Sequence, residues 1–351
     1  MKRIRNMILA WAAVVIGVLV LFTGSVFAVR AVGKNRLVSE TKGAMPKLLL
    51  GDSEPQDEDV VWKEGWVRYN GKVYEYNDQI MTFLFMGIDK EGEVEDNPNA
   101  YSGGQSDSLI LIVADRSTKE VRLIAINRDT MTDVDMYNLA GEGESSYVTA
   151  QIATQHGFGD GREISCELTK EAVSRLFFDL PIHGYVAINM ESIAQLNDAV
   201  GGVEVTVLED LTKINPDWEE GTRHTLMGED AFWYVKWRDI TIHESNLGRL
   251  ARQKQYVTGY IDQAKIAVKK DITLPLTLYK SLEPYMVTDI TLDEIAYLAG
   301  ELLDYTFDGE IYTLQGETIM GEKHEEFYPD MEALQELMLN VFYVEVDMDA
   351  Q

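Results

Sequence analysis

Three apolar runs in the first half of the chain, Met81–Ile88, Leu109–Ala114 and Val121–Ile126, are separated by polar, turn-forming stretches. Short β-rich runs bounded in this way predict buried strands. The second and third flank Asp115-Arg116-Ser117-Thr118-Lys119, which predicts a hairpin. Further on the period lengthens. Leu168, Ala172, Val173, Leu176 and Phe177 fall on one face of a helix over Glu167–Phe178. His183–Ile188 then reads as a strand, Met190–Ala199 as a helix, and Val203–Val207 as a strand after the Gly201-Gly202 turn. Asn246 is a candidate N-cap for a helix whose Leu247, Leu250, Ala251, Lys254, Val257, Tyr260 and Ile261 trace one broad face. Helical spacing returns around Leu274–Leu282, Leu292–Leu303 and Met331–Phe342, with a strand at Gly309–Thr313 and Asp330 as N-cap of the last helix. This alternation predicts an α/β fold with a mixed central sheet sandwiched by helices.

The N-terminal pattern is different. Met7 to Val29 is apolar and carries no charge, which exceeds the ~20 residues a membrane helix needs. The expected organisation is a cytoplasmic tail over 1–6, one transmembrane helix over 7–29 and an extracellular tether over 30–58. An aromatic hairpin follows over 59–79, turning at Asn70-Gly71, and a catalytic domain over 80–351. Lys2, Arg3 and Arg5 place the tail in the cytoplasm and the bulk of the chain outside. A cleaved signal peptide ending near Ser25-Val26-Phe27-Ala28 is the competing reading.

Composition changes the picture mainly through charge. The chain has 351 residues and a formal net charge of -28, which argues against nucleic acid as a partner, because such binding rests on neutralising phosphates with Lys and Arg. An anionic substrate needs a local basic pocket or a metal ion instead. The single cysteine, Cys166, rules out an intrachain disulfide and a cysteine-cluster metal site, and reads as a small core residue. The five histidines show no metal-ligand spacing.

Against that acidity, ionisable residues gather at the strand ends. Asp89 closes the first run, Asp107 opens the second, and Arg128-Asp129 closes the third. Antiparallel pairing of Ser108–Ala114 with Arg122–Arg128 brings Asp107 and Arg128 to one rim. Residues at strand ends are commonly solvated or paired with each other. The same set also suits a divalent cation and a phosphate. The acidic loop Lys90–Gln105 lies between the two carboxylates in sequence and reads as a solvated loop bordering the rim. Ala150–Gly161 carries Gly157, Gly159 and Gly161 but lacks the Lys-Ser/Thr ending of a phosphate-cradling loop, and no catalytic role is assigned to His156. A second basic concentration, Lys236, Arg238, Arg249, Arg252 and Lys254, falls within nineteen residues. Arg249 and Arg252, three apart, are neighbours on a helix surface. Pairing with surface carboxylates is the plain explanation of that cluster.

FLFMGID followed by SDSLILIVADRSTKEVRLIAINRDT resembles the core of the LytR-CpsA-Psr family of membrane-anchored cell-wall glycopolymer transferases. YVAINMESIAQLNDAVGGVEVTV and the second basic cluster continue the resemblance in order, covering about Ile80 to Ile266 well and the remainder loosely. The family's arginine–any–arginine motif is matched at its second arginine by Arg238 and at the following helical arginine by Arg249. Lys236 stands where the first arginine is usual, and lysine lacks the planar bidentate fork. Ala153 and His156 also depart from the asparagine and aromatic common in relatives.

The resemblance implies transfer of a glycopolymer, with one phosphate, from a polyprenyl-pyrophosphate carrier to a peptidoglycan sugar hydroxyl in a Gram-positive cell wall. It implies Asp89 and Asp107 as ligands of Mg²⁺ (or Mn²⁺). Arg128, Arg238 and Arg249 are implied as catalytic phosphate clamps, with Lys236 and Arg252 in support, and Asp129 as a catalytic residue that orients an arginine, a general-base role being the alternative. A metal-dependent polyprenyl-pyrophosphate phosphatase and a non-catalytic wall-binding or regulatory membrane protein are the alternatives. The lining of a lipid groove is not readable from the sequence.

Overall fold

The computed structural model describes residues 29–39, 41, 43–48, 62–95, 103–136, 146–189, 192–237, 245–322 and 324–348. The expected transmembrane run lies outside these residues except for Val29, and no helix among the described residues is long and apolar enough to cross a membrane.

Residues 29–39 form helix α1. The hairpin β1 (Val67–Tyr69) and β2 (Lys72–Tyr76) turns at Asn70 and Gly71, with φ of 49° and 78°, the left-handed pair that a tight two-residue turn requires. Strands β3 (Ile80–Ile88), β4 (Ser106–Asp115) and β5 (Glu120–Ile126) are the three apolar runs of the sequence. A second hairpin, β6 (Met131–Met136) and β7 (Ser146–Gln151), leads through a 3₁₀ turn at Ile152–Phe158 into α2 (Glu163–Leu176). Then come β8 (Gly184–Asn189), α3 (Ser192–Ala199), β9 (Val203–Thr206) and β10 (Arg223–Leu226). Helices α4 (Glu229–Lys236), α5 (Ser245–Lys270) and α6 (Leu274–Leu282) follow. The chain closes with β11 (Met286–Thr288), α7 (Leu292–Glu301), β12 (Thr306–Thr313), β13 (Gly316–Met320), β14 (Glu325–Pro329), α8 (Met331–Phe342) and β15 (Tyr343–Glu345).

The central sheet has the order β11-β8-β3-β4-β5-β12. It is mixed, as expected: β3 runs parallel to β8 and antiparallel to β4, and β5 runs parallel to β12. Alternation along the strands sends two sets of side chains to two layers. Leu84, Met86, Leu111, Val113 and Ile124 pack with Val173 of α2, with Phe177 just after it, and with Leu339 and Phe342 of α8. Phe83, Ile112, Val121 and Val186 face the other layer, which includes Leu37 of α1 and Tyr297 of α7. A smaller core joins β9, β10, α4 and α5 through Val203, Val205, Tyr234 and Tyr256, with Trp218 sealing it.

Two expectations change. The aromatic hairpin is not a separate unit: β2 pairs with β15, and Val67 belongs to the main core. Residues 30–39 are a docked helix rather than a tether. Leu37 is buried, and Arg36 donates to Thr291 Oγ1 at 3.0 Å. Gly33 sits so close to α7 that a Cβ there would lie 2.2 Å from the Asp293 carbonyl oxygen. Arg30 lies against Gly300, and Arg36 pairs with Asp293, both of α7.

Candidate active site

The strand register builds the rim. Gly87 pairs with Ser108 and Ile88 with Ser106, so Asp107 is the extra residue of a bulge and leaves the ladder. Leu109 pairs with Ile126, which carries the chain beyond β5 back across Asp107 to Arg128. Asp89 follows β3 directly. Its amide donates to the Gln105 carbonyl at 3.0 Å, and its Oδ1 accepts from the Gln105 amide at 2.5 Å. The Gln105 carbonyl also accepts from the Asp107 amide at 3.1 Å. One residue thus fixes the backbone of both carboxylates.

The Arg128 guanidinium is held on three edges. Nη1 donates to Asp107 Oδ1, Nη2 donates to Gln105 Oε1 at 2.5 Å, and Nε lies 3.6 Å from Asp129 Oδ1. Asp129 in turn accepts from Gln151 Nε2 at 2.8 Å, and the same amide nitrogen donates to the Glu325 carbonyl of β14 at 2.8 Å. The Asp129 carbonyl accepts from the Phe327 amide at 2.9 Å, so β13 and β14 are tied to the rim.

Asp107 and Arg128 retain 30% and 36% of their side-chain exposure, enough to meet a ligand while partly desolvated. Burial pushes the Asp107 carboxyl above the usual carboxylate range. Arg128 opposes that shift, the Asp89 and Asp129 charges add to it, and Lys236 opposes it more weakly. A carboxylate crowded by two others and short of solvent is one that a bound cation would relieve.

A buried histidine buttresses the loop from behind. His156 Nδ1 donates to the Gly103 carbonyl at 3.0 Å, and its Nε2 lies 3.7 Å from Cys166 Sγ, which fixes the tautomer with Nδ1 protonated. Burial lowers its pKa and raises that of the Cys166 thiol, so both stay neutral. In this setting His156 packs beneath the loop, bonded to Gly103 and beside Cys166. Gly104, at φ 82°, lets the loop turn against Asp89: a Cβ would lie 3.1 Å from Asp89 Oδ1 and 2.8 Å from the Lys90 side chain.

The second basic cluster divides. Lys236 ends α4, is exposed, and places its Nζ 4.5 Å from the Phe232 ring centroid, near enough to Asp107 for its charge to be felt there. Arg238 lies outside the described residues. Arg249 is half-buried in the first turns of α5. Arg252, expected among the phosphate contacts, is instead fully buried. Its Nη1 and Nη2 donate to the Tyr234 and Trp237 carbonyls at the end of α4, and its Nε lies 3.0 Å from Glu209 Oε1. It locks α4 against α5 and does not reach the rim.

From the rim an apolar path runs along one sheet face. Gly87 and Ser108 come first, then the half-buried Phe85, Ile110 and Ala125, then Phe83, Ile112 and Leu123, two residues per step. It ends in an apolar cavity of about 410 Å³ between the sheet and helices α5, α6 and α7, with Tyr260, Ala264, Tyr279, Leu298 and Ala299 in its wall.

Among the described residues no group of three or more His, Cys, Asp or Glu is placed to hold a metal. Asp89 and Asp107 offer two carboxylates, which is what Mg²⁺ ordinarily takes from a protein when phosphate and water complete its shell. The site residues missed by sequence reasoning are Gln105 and Gln151. Both are neutral amides in polar stretches. Gln105 directly precedes Ser106-Asp107, and that adjacency was the one available signal.

Residues 53–341 match the sequence model of the LytR_cpsA_psr family. A polyisoprenyl-teichoic acid–peptidoglycan teichoic acid transferase TagU of Bacillus cereus is 26% identical over 237 residues, covering 68% of this chain and 69% of that one. The protein of the same name from Oceanobacillus iheyensis is 26% identical over 310 residues, covering 86% of this chain and 84% of that one. The crystal structure of B. subtilis TagV superposes with a TM-score of 0.55 at 23% identity, over 75% of this chain and 96% of that one.

Proposed function

The chain belongs to the LytR-CpsA-Psr family, and from that premise we propose that it transfers a glycopolymer from a polyprenyl-pyrophosphate carrier to peptidoglycan. The observation that carries the reading is the junction of two unlike surfaces. A rim with a guanidinium and two crowded carboxylates stands at one end of the central strands, and one face of the same strands floors an apolar cavity. A diphosphate bearing an isoprenoid tail has that same division of character. Relatives named teichoic acid transferases support the same reaction class. The transmembrane helix over 7–29, the outward-facing catalytic domain and the Gram-positive wall belong to this proposal.

The reaction forms a bond between an acceptor sugar oxygen and the phosphorus attached to the polymer. The bond from that phosphorus to the bridging oxygen breaks, polyprenyl phosphate leaves, and the hydroxyl proton is released. Arg128 faces the charge that builds on the diphosphate, and three fixed partners spare it reorganisation during the step. Asp129, held by Gln151, keeps Nε of Arg128 aligned. Lys236 and Arg249, with Arg238, add positive charge from the α4–α5 side. Asp89 and Asp107 would hold Mg²⁺ or Mn²⁺, which when bound would withdraw charge from the phosphate oxygens. The cavity wall takes the tail.

The test is product analysis with the full chain, a polyprenyl-pyrophosphate-linked glycopolymer and isolated peptidoglycan. Wall-bound phosphodiester, with polyprenyl phosphate released in equal amount, is expected, and Arg128→Ala should lower the rate by about 10²-fold or more. Carrier cleavage at the same rate without peptidoglycan would assign a phosphatase. Unchanged product from Arg128→Ala would remove the rim from the mechanism.

A further inference from the structure

We propose that the C-terminal end of α5, the turn after it and α6 form a face that seats on an anionic membrane surface. Residues 265–280, KIAVKKDITLPLTLYK, hold four lysines and one aspartate in a chain whose net charge is -28. Lys265, Lys269, Lys270 and Lys280 have no ion pair among the described residues, whereas Lys47, Lys72, Lys119, Lys170 and Lys254 each do. Asp271, the one acidic residue of the segment, is exposed, and one of its carboxylate oxygens accepts from the Thr273 amide at 2.9 Å and the Thr273 hydroxyl at 2.6 Å.

The same segment leaves hydrocarbon uncovered. Ile266 and Ile272 are 47% and 59% exposed. Leu282 is the one fully buried residue of α6, although its sequence, LPLTLYKSL, is mostly apolar. Unpaired lysines interleaved with exposed aliphatic side chains suit the boundary of a bilayer, where the chains enter the headgroup region and the ammonium groups meet lipid phosphate. Nucleic acid fits less well, since its phosphate backbone offers no apolar layer for the exposed Ile266 and Ile272 side chains.

A neighbouring element has the same character. On α1, Val29 and Val32 are 45% and 53% exposed beside Arg30 and Lys34. Helix α1 packs on α7, with Arg30 against Gly300, and α7 shares the cavity wall with Lys265 and Val268 of α5 and with Pro275 and Tyr279 of α6. Docking on this face would bring the cavity rim to the bilayer. That consequence rests on the lipid-carrier reading; the docking itself does not.

Cys166 is buried, so an introduced thiol can be labelled alone. Ile272→Cys carrying an environment-sensitive fluorophore, in the full chain reconstituted into phosphatidylcholine vesicles with and without phosphatidylglycerol, reads the contact through lipid-borne spin labels. Met320→Cys, 72% exposed on the hairpin bonded to Asp129, is the control. Quenching at position 272 should exceed that at 320 and should rise with phosphatidylglycerol. It should weaken with Lys269→Glu and Lys270→Glu, each lysine contributing about fivefold in association. Equal quenching at the two positions overturns the proposal, as does quenching at 272 that ignores both lipid charge and lysine reversal. A label at 272 already shielded without lipid also overturns it, by showing that protein covers this face. Transfer assays on the same samples separate the two readings: inactive protein that still docks sinks the transferase reading and leaves this one standing.

Discussion

Arg128 meets three partners at fixed positions, and two of the three depend on Gln105 and Gln151. Removing the Gln105 side chain frees Nη2 while leaving both carboxylates and the arginine charge in place. Gln105→Ala is therefore expected to lower kcat by about 10- to 100-fold with KM changed much less, because misplacement near the reacting group costs rate rather than ground-state binding. Steady-state kinetics on the carrier substrate checks this, and a variant that changes only KM would make Gln105 a binding group. Asp89, Asp107 and Arg128 were legible in the sequence because a charge at the end of an apolar run is conspicuous. Gln105 was not, since an amide reveals its role only through the geometry of its neighbours. Arg252 shows the opposite error. Helical spacing placed it correctly beside Arg249, but spacing does not say which neighbour faces the interior, and in the structure Arg252 is the buried one.

Most elements followed from periodicity. The Asp330 cap of α8 is present, its carboxylate accepting from the Glu332 amide at 2.9 Å and the Ala333 amide at 3.2 Å. Helix α5 starts at Ser245, so Asn246 lies in its first turn and not at its cap. The hairpin β6–β7 was missed because its short strands, MTDVDM and SYVTAQ, carry few apolar residues. Helix α1 was missed because only two of its residues, Gly33 and Leu37, are buried, too few to show a helical period. The segment after α1 is pinned by His183. Its Nε2 is 2.8 Å from Thr41 Oγ1, and its Nδ1 accepts from the Thr82 amide at 3.1 Å. Burial, with a smaller contribution from Arg116, lowers its pKa from 6.5 to about 4. The folded state thus keeps it neutral while the unfolded chain protonates near 6.5, so its stabilising contribution is full above that pH and is lost as pH falls toward 4. The loss is on the order of 3 kcal/mol. Denaturation of the full chain and of His183→Asn at pH 7, 5.5 and 4 should show the variant weaker at neutral pH, with the gap closing or reversing by pH 4. A gap independent of pH would mean that His183 is not held neutral.

At the scale of the molecule, the formal charge of -28 makes the placement of cations informative. The rim sets one guanidinium, Arg128, among carboxylates, four lysines fall on the α5–α6 segment, and the apolar cavity lies against the sheet between these helices. The order of the central sheet is what connects rim and cavity. Because β3, β4 and β5 are paired side by side, their ends form the rim and one of their faces forms the cavity floor. Sequence reasoning reached the sheet and the need for a groove but not its lining, which comes from α5, α6 and α7 meeting only in three dimensions. If the cavity takes the carrier tail, its volume should be felt by long carriers alone. Ala299 lines it from α7 and is remote in sequence from every rim residue. Ala299→Trp is expected to raise KM for a long-chain carrier by at least about tenfold, since each methylene denied burial forfeits ~0.8 kcal/mol. A water-soluble carrier with one or two isoprene units should be used as before, which also shows that the variant is folded. Equal loss on both substrates would place the tail elsewhere on the molecule.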